Sequence, residues 1–245
     1  MNAMNPQALA RWTGVLFLIT YITSIPAFFV FYAPVLKDPG YITGPGPDTS
    51  VLFGAFLEVL LIIANIGTTL TLFPILKRRN EVLALGYVTA RLVESGFIAV
   101  GILSLVTVVT LRQHAAGADA ATLTLVGQAL VAIHDWTFLL GPAFVGVAGT
   151  GLMLGYLMYR SGLVPRPMAV LGLIGGVLVC VSGTAVLLGA LEQGGSAQTL
   201  ASMPEFLWEL SLGIYLTVKG FRPSPILSSD ARDAGVNRSF ATAAS

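Results

Sequence analysis

Apolar residues run almost unbroken through six stretches of this chain, about Trp12 to Tyr32, Val51 to Leu76, Val82 to Leu111, His134 to Tyr159, Met168 to Leu191 and Met203 to Val218. A helix rising 1.5 Å per residue needs about 20 residues to cross roughly 30 Å of hydrocarbon, and most of these runs reach that length. Lipid offers no partner to a backbone N–H or C=O, so each run must close its own hydrogen bonds as a helix. The pattern predicts an all-α fold, with six transmembrane helices in one bundle over residues 1–222. The first run exceeds the apolar core of about 7 to 15 residues in a signal peptide, and it reads as a retained span.

The breaks between runs carry their own signals. From Pro34 to Ser50, "DPGYITGPGPDTS" packs prolines and glycines too densely for a helix or a ladder to continue, which predicts an outer loop. Ala120 to Ile133 is also apolar; it reads either as a short interfacial helix or as an outward extension of span four. Gly141-Pro142 predicts a kink just inside that span. Similar helix starts follow basic loops at "ALGY" (from Ala84) and "VLGL" (from Val170), compatible with two three-helix halves of opposite topology, although no exact repeat is visible. Residues 223–245 are rich in Ser, Ala and Asp and poor in large apolar groups, so burial cannot offset the entropy of ordering, and a mobile cytoplasmic tail is expected.

Of the 13 Lys and Arg residues, Arg11, Lys77, Arg78, Arg79, Arg160, Arg166, Lys219, Arg222, Arg232 and Arg238 fall on the side of the N-terminus. Only Lys37 and Arg112 fall on the other, and Arg91 lies inside a span. Positive charge is retained on the cytoplasmic side during insertion, so both termini are expected there, in a cell membrane.

Composition agrees with the pattern: hydrophobic residues make up 55% of 245, charged residues 10%, and mean hydropathy is +0.83, which excludes an ordinary soluble domain. The bilayer is therefore the first partner to be expected, with a small solute, proton or cation as a candidate second. A net charge of +1, spread over several short loops, gives no basic surface for nucleic acid. The single Cys180 rules out an intrachain disulfide and a thiolate cluster, and reads as packing.

The charges inside the runs are the candidate chemistry. Counted along the helix, Arg91 lies roughly 14 Å and Glu94 roughly 18 Å from the inner end of span three, near mid-bilayer. Three residues apart, they share a face and can pair directly, with Tyr87 one turn below. Span two carries Glu58 in its outer third and Asn65 two turns on, on the same face. Span six carries Glu205 and Glu209 on one face, beside Trp208. One guanidinium has a planar fork that can serve both Glu94 and Glu209, tying helices together; an internal Arg91–Glu94 pair that merely lets Arg91 insert is the plainer reading.

His134-Asp135-Trp136 is expected at the outer mouth of span four, with Glu205 and Trp208 at a similar outer position. His134 reads first as a satisfied interfacial histidine and then as a protonation switch. Metal binding ranks last, because no second histidine or cysteine partners it, and neither a metal nor a cofactor is expected. Glu58, Glu94, Asp135 and Glu209 outnumber the lone Arg91 in or near the core. A charge at a helix centre costs roughly 2.5 to 3.5 kcal/mol on insertion scales, so the surplus must be protonated, hydrated or matched by a bound cation. No mid-span lysine, bis-histidine pair or phosphate loop is present. The glycines of "GVAGTGLMLGY" and "LGLIGGVLVCVSG" recur at three- and four-residue spacings that suit close helix packing in lipid.

The segments "TGVLFLITYITSIP", "GAFLEVLL", "FPILKRRNEVLALGYVTARLVESGF" and "LVPRPMAVLGL" resemble the bacterial integral membrane family called domain of unknown function 4386. The resemblance covers nearly the whole chain before the tail, and its most specific part runs from Phe73 to Phe97, with Glu58 fitting the family's Leu-Glu in span two. It implies six spans and supplies no activity.

Three functions follow as expectations. The first is binding or translocation of a proton, cation or small solute at Glu58, Asn65, Arg91, Glu94, Asp135 and Glu209. The second is an intramembrane enzyme acting on a lipid or small molecule through Asp135, His134 and Glu58, although no catalytic set can be named and the balance leans away from catalysis. The third is a structural or signalling protein whose buried charges only specify helix pairing.

Overall fold

The computed structural model describes residues 5–114 and 117–228. Among them every regular element is helical. Helix α1 (Pro6–Pro26) runs into a π-helical turn (Ala27–Phe31) and the short α2 (Ala33–Lys37); α3 spans Asp48–Leu76 and α4 Glu81–His114. Helix α5 (Ala120–Leu140) continues through two π-helical segments, Gly141–Gly146 and Ala148–Leu154, into α6 (Gly155–Ser161), and α7 (Arg166–Leu187) and α8 (Ser196–Val218) complete the chain. Five of these units are long and apolar enough to cross a membrane: Pro6–Phe31, Asp48–Leu76, Glu81–His114, Ala120–Ser161 and Arg166–Leu187.

Packing closes the helices into a ring. Helix α1 lies against α3, α3 against α4, α4 against α5 and the π-helical segments, α6 and the second π segment against α7, α7 against α8, and α8 back against α1. The closing contact depends on two glycines: Gly14 faces the backbone of Gly213 and Thr217, where an added Cβ would come within 2.6 Å of Gly213 O. The outside of the ring carries Ile22, Ile63, Leu70, Leu103, Val181 and Leu200 exposed. A soluble protein does not display so continuous an apolar surface; lipid covers it at no cost.

The fourth helix departs from the sequence expectation at its start. It begins at Ala120 rather than near His134, because the Asp119 carboxylate caps it by accepting from Thr122 N at 2.9 Å. The apolar stretch 120–133 is thus one continuous helix with residues 134–140, not a separate element. The kink expected at Gly141-Pro142 appears as the onset of the π-helical stretch. Proline has no N–H to give and the ladder widens there. Helix α7 stops at Leu187, before Leu191, and α8 begins earlier than Met203, at Ser196.

The proline- and glycine-rich outer loop is stapled by Arg112 at the end of α4. Its guanidinium donates to Gly44 O at 3.0 Å and Gly46 O at 3.1 Å, pairs with the Asp48 carboxylate, and lies 5.2 Å from the centre of the Tyr41 ring. Tyr41 donates to Asp48 at 2.9 Å; burial, helped by Asp48, pushes its hydroxyl up to about 12, so it stays a donor through the physiological range. Bonds to charged donors contribute about 1.5 to 3 kcal/mol each. Arg112→Met should therefore speed amide exchange across residues 40–48 by roughly tenfold or more; exchange at the wild-type rate would mean that the loop is held by something else.

The opposite end is tied by hydrogen bonds to the backbone. Gln7 donates to Phe221 O and accepts from Phe221 N, both at 2.9 Å, and Arg222 N donates to Leu163 O at 2.8 Å. The first residues of the segment expected as a mobile tail join this layer: Ser224 Oγ donates to Ser161 O at 2.6 Å, and Ile226 and Leu227 pack on the core. The remainder of that segment, 229–245, with Arg232 and Arg238, lies outside the described residues.

Candidate functional site

Arg91 projects from the inner face of α4 into the ring and is 3% exposed. Its Nη1 donates to Glu94 Oε2 at 2.8 Å, one turn along the same helix, and its Nη2 reaches Glu209 Oε1 of α8 at 3.5 Å. The Phe17 ring of α1 lies 5.5 Å from the guanidinium carbon, an arrangement in which the ring face attracts the cation. Asn65 of α3 donates from Nδ2 to Glu94 Oε1 at 3.4 Å. One guanidinium and its carboxylates thus join α1, α3, α4 and α8. Below them Tyr87 and Thr68 share a 3.0 Å hydroxyl contact between α4 and α3.

The π-helical stretch supplies the room for two of the carboxylates. A Cβ on Gly146 would sit 2.6 Å from Glu94 Cδ, and one on Gly149 would sit 2.7 Å from Ala90 Cβ. On the α8 side, a Cβ on Gly151 would lie 2.6 Å from Glu205 Oε2, and one on Gly175 only 2.4 Å from Glu205 N. The glycine spacing that suggested close packing therefore also makes two slots for acidic side chains. Glu205 sits in its slot at 4% exposure, bonded to Thr150 Oγ1 at 3.0 Å, while Trp208 Nε1 donates to Thr150 O at 3.1 Å.

The sequence-derived site residues do not all meet. Asn65, Arg91, Glu94 and Glu209 form one group. Glu58 lies elsewhere: Tyr32 OH donates to its Oε2 at 2.9 Å, and the Tyr32 ring packs edge-on against His134 with centroids 5.5 Å apart. Gly54 permits this, since a Cβ there would lie 2.7 Å from the Tyr32 ring. Asp135 turns outward, touching His134 Nδ1 at 3.5 Å with its side chain 48% exposed. It borders a cavity of about 200 Å³ that is also lined by Asp38, Tyr41 and Gln128. His134, Glu205 and Trp208, expected near an outer mouth, are buried, at 2%, 4% and 0% exposure. Among the described residues no three His, Cys, Asp or Glu side chains converge as a metal site would require.

Two residues of these groups escape a reading of the sequence. Tyr32 sits at the end of an aromatic run, AFFVFY, where nothing marks one hydroxyl as the partner of Glu58. Thr150 stands among glycines whose spacing signals packing alone. Both act by offering a hydroxyl to a carboxyl on another helix, a relation that appears only once the helices are placed. Asn65 Oδ1, Arg91 Nε and Glu205 Oε2 remain buried with no hydrogen-bond partner among the described residues. Such atoms are costly in an apolar interior, which marks the ring centre as more polar than packing alone requires.

No curated protein and no solved structure matches the chain. A family match does exist, over residues 12–220, and it takes in Glu58, Asn65, Arg91, Glu94, Thr150, Glu205 and Glu209 together with every helix from α2 to α8. The chain belongs to the family described as a domain of unknown function, DUF4386.

Proposed function

We propose that the chain is a six-span protein of a cell membrane, with both termini cytoplasmic, that binds and passes a proton, a small cation or another small cationic solute at Arg91, Glu94, Glu209 and Asn65. The sixth span is α8. It falls short of the other five in apolar character because it carries Glu205 and Glu209, yet it closes the ring between α7 and α1 and so runs beside helices that cross. The orientation rests on the clustering of Lys and Arg at the end that holds Arg11, Lys77 to Arg79, Arg160, Arg166, Lys219 and Arg222.

The observation that carries the reading is the sharing of one guanidinium by carboxylates of two helices, Glu94 at 2.8 Å and Glu209 at 3.5 Å. With both acids ionised the group holds one negative charge in excess, which a proton or cation can neutralise. The two partners differ in a useful way. Glu94 is buried and fixed by Asn65 as well as Arg91, whereas the Glu209 side chain is 19% exposed and its contact is longer. Glu209 is the partner whose contact with the guanidinium can open for an arriving charge, while Glu94 stays bonded to Arg91 and Asn65.

The test is flux in proteoliposomes under an imposed pH gradient. Glu94→Gln should leave a folded protein with pH-coupled flux reduced at least tenfold, about the effect of 1.4 kcal/mol; flux equal to wild type discards the site. A second reading, an intramembrane enzyme using Glu58, His134 and Asp135, draws on Tyr32, whose hydroxyl bonds Glu58 and whose ring packs against His134. It is weakened by Asp135, which faces the outer cavity rather than Glu58.

A further inference from the structure

Thr150 has one hydroxyl proton and two acceptors. Its Oγ1 lies 3.1 Å from Gly146 O and 3.0 Å from Glu205 Oε1. A carbonyl oxygen can only accept, so when the Thr150 proton points at Gly146 the contact with Glu205 is a hydrogen bond only if the carboxyl supplies the proton. The opposite assignment, a carboxylate accepting from Thr150, leaves Oε2 as a buried anionic oxygen with no donor among the described residues. Its surroundings are glycine backbone: Gly151 and Gly175 lie so close that a Cβ on either would stand 2.6 Å or 2.8 Å from Oε2. A bare carboxylate there would carry the full cost of a charge in an apolar interior.

We propose that Glu205 is a second, separate proton-binding site of this protein, holding its proton on Oε1 and donating it to Thr150, which donates in turn to the π-helical carbonyl of Gly146. The charged and titratable groups around it are already engaged or out of bonding reach. Arg91 of α4 is taken by Glu94 and Glu209; Tyr21 of α1 donates to Phe206 O at 2.7 Å; Glu209 on α8 itself and Cys180 of α7 make no hydrogen bond to Glu205. Among the described residues no cation pairs with Glu205 where it stands, and Arg91 acts on it only from a distance. Loss of the proton therefore demands that α8 shift against α7 and the π segment, either to bring Arg91 nearer or to admit water. The proton thereby latches α8 to its neighbours.

This inference rests on the hydrogen-bond directions at Thr150 and not on flux, so it can fail while the Arg91 site survives, and the reverse. Infrared spectra of the purified protein in lipid at neutral pH read the neutral-carboxyl C=O stretch, identified by its shift in D2O. The band should be present in wild type, disappear in Glu205→Gln and persist in Glu94→Gln. In Thr150→Val, which removes the acceptor but keeps the shape, it should move to higher frequency. A wild-type spectrum without the band, or a band unchanged in Glu205→Gln, overturns the proposal. Should Glu205→Gln not fold, Thr150→Val decides alone: an unmoved band counts against the site.

Discussion

Replacing Arg91 with methionine is expected to destabilise the fold by about 3 to 5 kcal/mol, the usual effect of removing one partner of a buried ion pair. The loss would come less from the missing attraction than from what remains. Glu94, 5% exposed, would keep only the 3.4 Å bond from Asn65, and Glu209 would lose its one cation. The double change Arg91→Met with Glu94→Gln should recover most of the stability, since a neutral amide beside Asn65 is cheap to bury. Glu209→Gln alone should cost far less, near the average of about 0.6 kcal/mol for an interhelical polar contact in a membrane protein. Thermal unfolding of the four proteins in one detergent–lipid mixture checks the order. A single Arg91→Met as stable as the double change would show that Glu94 does not depend on the guanidinium.

A comparably large effect is expected where α7 meets α8. The Cβ of Gly175→Val would fall 2.4 Å from Glu205 N and 2.7 Å from Glu205 Cα. These are backbone atoms that cannot swing aside, so the helices must part, at a cost of about 1 to 3 kcal/mol or more. Separation would also draw Glu205 from Thr150 and Trp208 from the Thr150 carbonyl, losing two buried hydrogen bonds. Gly96→Ala is the matched control. Nothing lies within 4 Å of its added Cβ, and it sits inside α4, so the change should be neutral or stabilising by up to about 1 kcal/mol. Equal melting temperatures for the two variants would mean that the α7–α8 contact is loose.

The helices were the most legible part of this chain, because the hydrocarbon requirement acts on each run separately and leaves its mark within the run. Arg91 with Glu94 was legible for the same reason: a spacing of three residues places them together whatever the tertiary fold does. The bridge from Arg91 to Glu209 followed from matching depths on two helices. Glu58 shows the limit of that reasoning. It shares a face with Asn65, but seven residues at 1.5 Å put the two about 10 Å apart along the axis. That is enough for Asn65 to meet Glu94 while Glu58 meets Tyr32. The slots for Glu94 and Glu205 were illegible because glycines report that something approaches closely, not what it is. The early start of α5 turned on one side-chain cap at Asp119, a local signal outweighed by the apolar run it precedes.

In the proposed function the surplus of acid around Arg91 serves to hold a mobile positive charge, beyond tying helices together. The Arg91→Met, Glu94→Gln double variant separates the two roles, because it keeps the fold while removing both the fixed cation and its fixed partner. Proteoliposomes of wild type and of this variant, loaded with a pH-sensitive dye and given a defined membrane potential, supply the measurement. Wild-type vesicles should change lumenal pH, and the folded variant should leave it where an empty vesicle does. A folded variant that moves protons as fast as wild type, or a wild type no faster than bare lipid under every pH and cation gradient imposed, would contradict the account and leave the cluster as architecture.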